Sequence, residues 1–211
     1  MSAVSNIPAT HSRQRARDLL TTGPLLELGR HADDIRQRLH PEGVVTFVVD
    51  RNINYTNICV SRCRFCAFSR SLRDPDAYVL AMEEISRKIA ELLDEGGTQV
   101  LLQGGLHPDL PLRYYENLLS FIKSRFPVHL HAFSPPEICH IASLSELSIR
   151  EVIQHLMDAG LDSIPGGGAE VLSDRVRKRI SPKKITTGQW AQVMRDAHAL
   201  GLNTTATMMF G

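Results

Sequence analysis

The sequence predicts an α/β chain: a parallel sheet covered by helices, built as a (β/α) TIM-type barrel that is incomplete, with an N-terminal helical extension. Three observations predict it. Short β-branched runs alternate with helical periodicity, as a parallel sheet with crossover helices requires. The glycine-rich and polar punctuation, "QGGLHP", "HAFSPPE" and "PGGGAE", falls after strands, where a barrel builds its active face. About five strands can be made out, against the eight of a closed barrel. An open doubly wound sheet needs no more strands than this and is the structural rival.

Residues 12 to 40 read as two amphipathic helices separated by "TTGP", giving an extension over 1–41 and a core over 42–211. "VVTFVVD" (44–50) is short and β-branched and reads as a buried first strand. "MEEISRKIAELLDEGG" sets Met82, Ile85, Ile89, Leu92 and Leu93 on one helical face and stops at Gly96–Gly97. "TQVLLQGG" is the next strand. A helix from Leu112 turns Tyr115, Leu118, Leu119 and Ile122 inward, and "VHLHAF" (128–133) is a third strand. Ser148 and Glu151 form a capping pair for a helix that Gly160 ends. "LDSIPGGG" gives a fourth strand and its turn, followed by a helix near 169–180. Thr186 and Gln189 cap another helix to Leu200, and "NTTATMMFG" is a fifth strand.

At 211 residues the chain suits one domain, and its formal charge of +1 gives no global basic excess to argue for nucleic acid. The start of the chain lacks an apolar h-region, and no apolar run approaches membrane-spanning length, so a cytoplasmic protein is the expectation.

Three of the four cysteines, Cys59, Cys63 and Cys66, lie within eight positions with the spacing C-x3-C-x2-C. In a reducing compartment such clustering points to metal ligation or catalysis before disulfides. Structural zinc normally takes four protein ligands in two knuckles, and a second pair is missing here. Three thiolates on a four-iron cube leave one iron open to a ligand that must be activated. Spacing alone favours the cluster. Zinc stays open, with Cys139, His107, His131 or His140 as a fourth ligand, as does a zinc-stapled module gripping nucleic acid through "DRVRKRISPKK" (174–184). That basic run reads more simply as a solvated helix face, and Cys139 as a small buried hydrophobe.

C-x3-C-x2-C with Phe65 just before the last cysteine resembles the radical S-adenosylmethionine (SAM) superfamily. "DRNINYTNIC", "CRFCAFSR", "QGGLHPDLP", "HLHAFSPPEI" and "DSIPGGGAE" narrow the resemblance to the radical enzymes of the menaquinone and deazaflavin pathways, most of all cyclic dehypoxanthine futalosine synthase. Aminofutalosine synthase and the tyrosine-using deazaflavin (FO) synthase subunit share the cysteine loop and "GGLHP". The resemblance implies a [4Fe-4S] cluster on the three cysteines, SAM on the open iron, and a 5′-deoxyadenosyl radical. That radical would abstract a ribose hydrogen from dehypoxanthine futalosine to close a new ring. It also implies a reductant partner such as flavodoxin or ferredoxin, and neither nucleic acid nor a membrane.

By the same resemblance Gly104 and Gly105 match the place beside the cofactor's amino group. Leu106 stands where the wider superfamily often has a glutamate. Glu170 matches a ribose contact, against a plain reading as a helix N-terminal carboxylate. Phe65 packs near the adenine. Arg51, Asn54, His107, His131 and Glu137 are candidates for the substrate. His129 and His131 alternate on one strand and face the same way. Relatives continue with three more barrel strands, so the resemblance implies a truncated or split chain with an open sheet edge.

Overall fold

The computed structural model describes residues 13–209. The start of the chain, the first residue of the expected opening helix, and Phe210 and Gly211 of the expected last strand lie outside the described residues. Those described fall into two compact units that part between Phe47 and Val48. The first holds α1 (Arg13–Thr22) and α2 (Leu25–Leu39), with Pro24 at the N-cap of α2. No residue of α2 is buried, and Leu25 and Leu26 stand 82% and 79% exposed.

The second unit runs β1 (Asp50–Asn54), α3 (Met82–Asp94), β2 (Gln99–Gln103), α4 (Leu112–Lys123), β3 (His129–Ala132) and α5 (Pro135–Ser145). It continues through α6 (Ile149–Asp158), β4 (Ser163–Ile164), α7 (Asp174–Ile180), α8 (Thr187–Ala199) and β5 (Asn203–Thr204). All five strands are parallel, in the order β1-β2-β3-β4-β5. A doubly wound sheet reverses its order at a switch point and is covered on both faces. Here the order never reverses. Ile53, Val100, Leu102, Leu130, Ala132 and Ile164 enter one core with the buried faces of α3, α4, α5, α6 and α8. The opposite face carries the layer Asn52, Leu101, His131, Ser163 and Asn203, which the register sets side by side. This is an arc of a barrel, helices outside and a polar concave face within.

The helix predictions hold where periodicity carried them: Ile85, Ile89 and Leu92 of α3 and Tyr115, Leu118, Leu119 and Ile122 of α4 are buried. Both capping boxes form. Three expectations are corrected. The first strand is not 44–50: pairing begins at Asp50, opposite Gln99, and Val44, Val45 and Phe47 stand 68%, 82% and 88% exposed. β-Propensity described that segment, but a strand exists only where a neighbour supplies the ladder. α5 went unpredicted, although Ser134-Pro-Pro-Glu137 is a capping box with proline in the first turn. The helix expected near 169–180 begins only at Asp174, because Gly168 and Glu170 take left-handed φ values of 78° and 42°. Among the described residues no helix is long and apolar enough to cross a membrane.

Candidate functional site

A cavity of about 570 Å³ opens beyond the C-terminal ends of β1 and β2. The cysteine loop forms one wall. Leaving β1, Thr56 Oγ1 donates to the Tyr78 carbonyl (2.6 Å), and the Asn57 side chain clasps the Asp76 carbonyl and the Tyr78 N–H. The loop then closes on itself through Cys59 N–H to Arg70 O (2.9 Å) and Arg70 N–H to Asn57 O (2.8 Å). Arg62, at φ 46°, turns the chain between the first two cysteines. Val60 N–H to Leu106 O ties the loop to the segment after β2, and Arg64 N–H to Ile180 O ties it to α7. Cys59 and Cys63 are half-buried and Cys66 is exposed. Cys63 and Cys66 also line a second hollow of about 310 Å³ with Arg62 and Arg70.

The second wall is the turn Gly104–Gly105. A Cβ on Gly104 would lie 2.5 Å from the Tyr55 ring, and one on Gly105 would lie 2.2 Å from the Ile58 carbonyl and 2.9 Å from Cys59 Cβ. The glycines are what lets β2 lie against the cysteine loop. Their N–H groups are consumed, Gly104 by Glu137 Oε1 (2.9 Å) and Gly105 by the Thr56 carbonyl (2.9 Å). Among the described residues, neither Gly104 O nor Gly105 O accepts a hydrogen bond.

The third wall is the β4–α7 connection. Arg177, only 3% exposed, donates to the carbonyls of Gly168, Ala169 and Ile185 and so holds the loop that carries Glu170. Lys184 pairs with Glu170 at 2.5 Å, with both side chains largely buried, and sits over the Phe65 ring at 5.5 Å from its centroid. The basic run is therefore not simply a solvated face: Arg177 builds the wall and Lys184 lines the cavity. Nor is Glu170 a first-turn carboxylate, since α7 starts four residues later.

Of the twelve residues singled out from the sequence, Cys59, Cys63, Cys66, Phe65, Gly104, Gly105, Glu170, Asn54 and Glu137 line this cavity. Arg51, His107 and His131 do not. Arg51 leaves the opposite side of β1 and bonds Glu91 (2.6 Å) and the Lys88 carbonyl on α3. His107 is turned inward, accepting from Asp109 N–H at Nδ1 (3.1 Å), and burial pushes its pKa down. His131 shares the Ser163 hydroxyl with His129, at 2.7 Å from each ring, which confirms that the two histidines face the same way. Burial and the neighbouring His129 hold its pKa low. Cys139 is half-buried against the core, and burial raises its thiol to about 11. Tyr55, Gln103 and Lys184 were missed. Lys184 had a signal in the sequence, the end of a basic run that follows the glycine-rich turn.

Among the described residues no three metal-binding groups converge on a point fit for a single ion. A four-iron cube spans more widely and meets each thiolate at a separate corner. The donor set fits such a cube: three thiols on one loop, beside a cavity whose size suits a nucleoside-sized ligand and which is lined by Gly104 and Gly105, whose carbonyls accept no hydrogen bond among the described residues.

The model of the Radical SAM superfamily matches residues 53–211, from the end of β1 onward. The chain belongs to the radical SAM superfamily. It is 46% identical to a cyclic dehypoxanthine futalosine synthase of Halalkalibacterium halodurans over 95% of this chain and 54% of that protein. It is 49% identical to a 5-amino-6-(D-ribitylamino)uracil–L-tyrosine 4-hydroxyphenyl transferase of Methanopyrus kandleri, over 86% and 49%. Against the FO synthase of Streptomyces avermitilis it is 42% identical over its full length and 25% of that protein. The chain thus spans about half the length of the first two of these relatives. Among solved structures, the [FeFe]-hydrogenase maturase HydG superposes with a TM-score of 0.70 at 16% identity, covering 94% of this chain and 43% of HydG. Methylornithine synthase does so at 0.65 and 18%, covering 92% and 54%. These likenesses carry the fold, an arc of the radical SAM barrel.

Proposed function

We propose that this radical SAM chain carries the cluster and SAM site of an enzyme that cyclises dehypoxanthine futalosine in the futalosine route to menaquinone. Cys59, Cys63 and Cys66 would hold a [4Fe-4S] cluster, and SAM would occupy the cavity beside them. The carrying observation is the convergence of one three-cysteine loop, two unpartnered glycine carbonyls and the Lys184–Glu170 pair on a single cavity. When bound, cluster and SAM together supply a hydrogen-abstracting carbon radical. The protein's own part is placement and exclusion of water. Gly104 O and Gly105 O would accept from the cofactor's ammonium, and Glu170 from its ribose. Lys184 is the one basic side chain on the described cavity wall and would face its carboxylate. Phe65 and the apolar Met208 and Met209 would border the adenine. The substrate would reach the polar concave face through Asn54. An electron carrier such as flavodoxin or ferredoxin would serve as reductant.

A second reading has support of its own: the 49% identity to a tyrosine-dependent hydroxyphenyl transferase favours deazaflavin assembly equally. Incubating anaerobically reconstituted protein with SAM, reductant and either dehypoxanthine futalosine or tyrosine plus 5-amino-6-ribitylaminouracil separates the two. Release of 5′-deoxyadenosine with a cyclised product of unchanged carbon count supports the cyclase. Product formation only in the arm with tyrosine plus 5-amino-6-ribitylaminouracil would overturn it.

A further inference from the structure

Glu137 is 3% exposed and sits in the first turn of α5, where it joins three elements. Its Oε1 accepts from the Tyr55 hydroxyl (2.7 Å) at the end of β1 and from Gly104 N–H (2.9 Å) at the end of β2. Its Oε2 accepts from Ser134 N–H (2.8 Å) and the Ser134 hydroxyl (2.5 Å). Four donors thus fill the lone-pair sites of one carboxylate. Each oxygen holds a backbone N–H, which can only donate, so a proton on either oxygen must reverse or displace a hydroxyl. Burial, the strongest influence, raises its pKa, while the hydrogen bonds from Ser134, Tyr55 and Gly104 and the α5 N-terminus pull the other way and favour the charge. No ion pair reaches Glu137 among the described residues, and none of the strongest influences on its carboxyl is a cation.

The other acid on the cavity wall differs: Glu170 is neutralised by Lys184, the one basic side chain among the described lining residues. One of the two lining carboxylates therefore lacks a counter-ion. A buried charge in that condition is unfavourable until a cation comes near. The Glu137 network meets the cavity at Gly104, whose carbonyl is a bare acceptor.

We propose that Glu137 stands ionised behind the Gly104 wall as the fixed negative charge of the cavity, and that it selects a ligand whose group at that wall is an ammonium. The inference rests on the SAM reading of the cavity and deepens it. Glu137 acts through the Gly104 peptide, as a positioning residue and counter-charge, and leaves substrate contact to others.

The test uses the 211-residue chain with its cluster reconstituted, and calorimetric affinities for three probes. They are SAM (ammonium and sulfonium), S-adenosylhomocysteine (ammonium only) and methylthioadenosine (neither). Glu137→Gln keeps the shape and removes the charge, and its amide nitrogen gives up the two bonds that one oxygen accepted. It should weaken SAM and S-adenosylhomocysteine by about tenfold or more, as loss of a charge at short range in a low-dielectric wall implies, and leave methylthioadenosine within about twofold. Tyr55→Phe cuts one bond and keeps the charge, and it should preserve the wild-type ratio of SAM to methylthioadenosine affinity. That arm stands even if Glu137→Gln does not fold. An equal loss for all three probes in Glu137→Gln, no loss for SAM, or a collapsed ratio in Tyr55→Phe would each overturn the proposal. If the wild-type chain binds none of the probes, the SAM reading itself fails, a result distinct from the others.

Discussion

The two carboxylates that flank the cavity solve the same problem in opposite ways. On the β4–α7 side, Glu170 is reached by a lysine, in a loop whose carbonyls are gathered by the buried Arg177 guanidinium. On the β2–α5 side, Glu137 is buried, meets no cation among the described residues, and is held by hydroxyls and amides alone. The first wall neutralises its charge within the protein. The second keeps its charge unspent and faces it, through one glycine, toward the cavity. Two walls of similar composition thus differ in whether they leave something for a ligand to do.

The contrast matters only if the cysteine loop between the walls is held in place, and the largest expected effect is there. Gly105→Val would drive side-chain atoms into the Ile58 carbonyl and Cys59 Cβ. Reconstituted protein should then lose most of its bound iron while far-ultraviolet circular dichroism stays near wild type. Retention of full iron would show that the glycine turn does not support the loop.

Next in size is the direct comparison of the acids. Glu137→Ala strands four buried donors and should cost about 3 kcal/mol or more of unfolding free energy. Glu170→Ala breaks a largely buried pair but leaves Lys184 on the cavity wall, and should cost less, about 2 kcal/mol. Denaturant midpoints measure both, and equal losses would erase the distinction drawn between the walls. Arg177→Met comes third. It leaves the Gly168, Ala169 and Ile185 carbonyls without their donor and should cost about 2 kcal/mol. It should also loosen the Glu170 loop, seen as faster amide exchange over 166–170.

How much of this was legible in the sequence depends on the kind of signal. Helical periodicity identified the buried faces of α3 and α4, because those residues meet a core along their whole length. The cysteine spacing and the glycine pair were legible because their chemistry depends on identity and order. β1 was misplaced by its own composition: "DRNIN" is polar because one face of the strand looks onto an open concave surface, while the β-branched run before it lies outside the ladder, which begins at Asp50. The serine-to-glutamate cap of α5 was present in "SPPE", masked by two prolines that mark a helix's first turn as readily as a loop. Arg51, His107 and His131 were chosen by proximity along the chain. Only the fold could show that Arg51 turns outward to Glu91 and that the histidines are taken up by Asp109 and Ser163.

The smallest expected effect concerns His131, below the β2–α5 wall. Its folded pKa lies under its ordinary value of 6.5, so the unfolded chain binds more protons as pH drops through that value. Stability contributed by the neutral ring is present above pH about 6.5 and declines as pH falls below it. His131→Gln should flatten the fall in thermal midpoint between pH 7 and pH 5. An unchanged slope would assign the titration to another group.

The most direct test of the central claim is Mössbauer spectroscopy of the chain reconstituted with iron-57 under strict anaerobiosis, with and without SAM. The expected result is four irons per chain, one of them distinct and shifting when SAM is added, as ligation of three corners by three cysteines would require. A spectrum with four equivalent thiolate-bound irons, or one unmoved by SAM, would contradict the account.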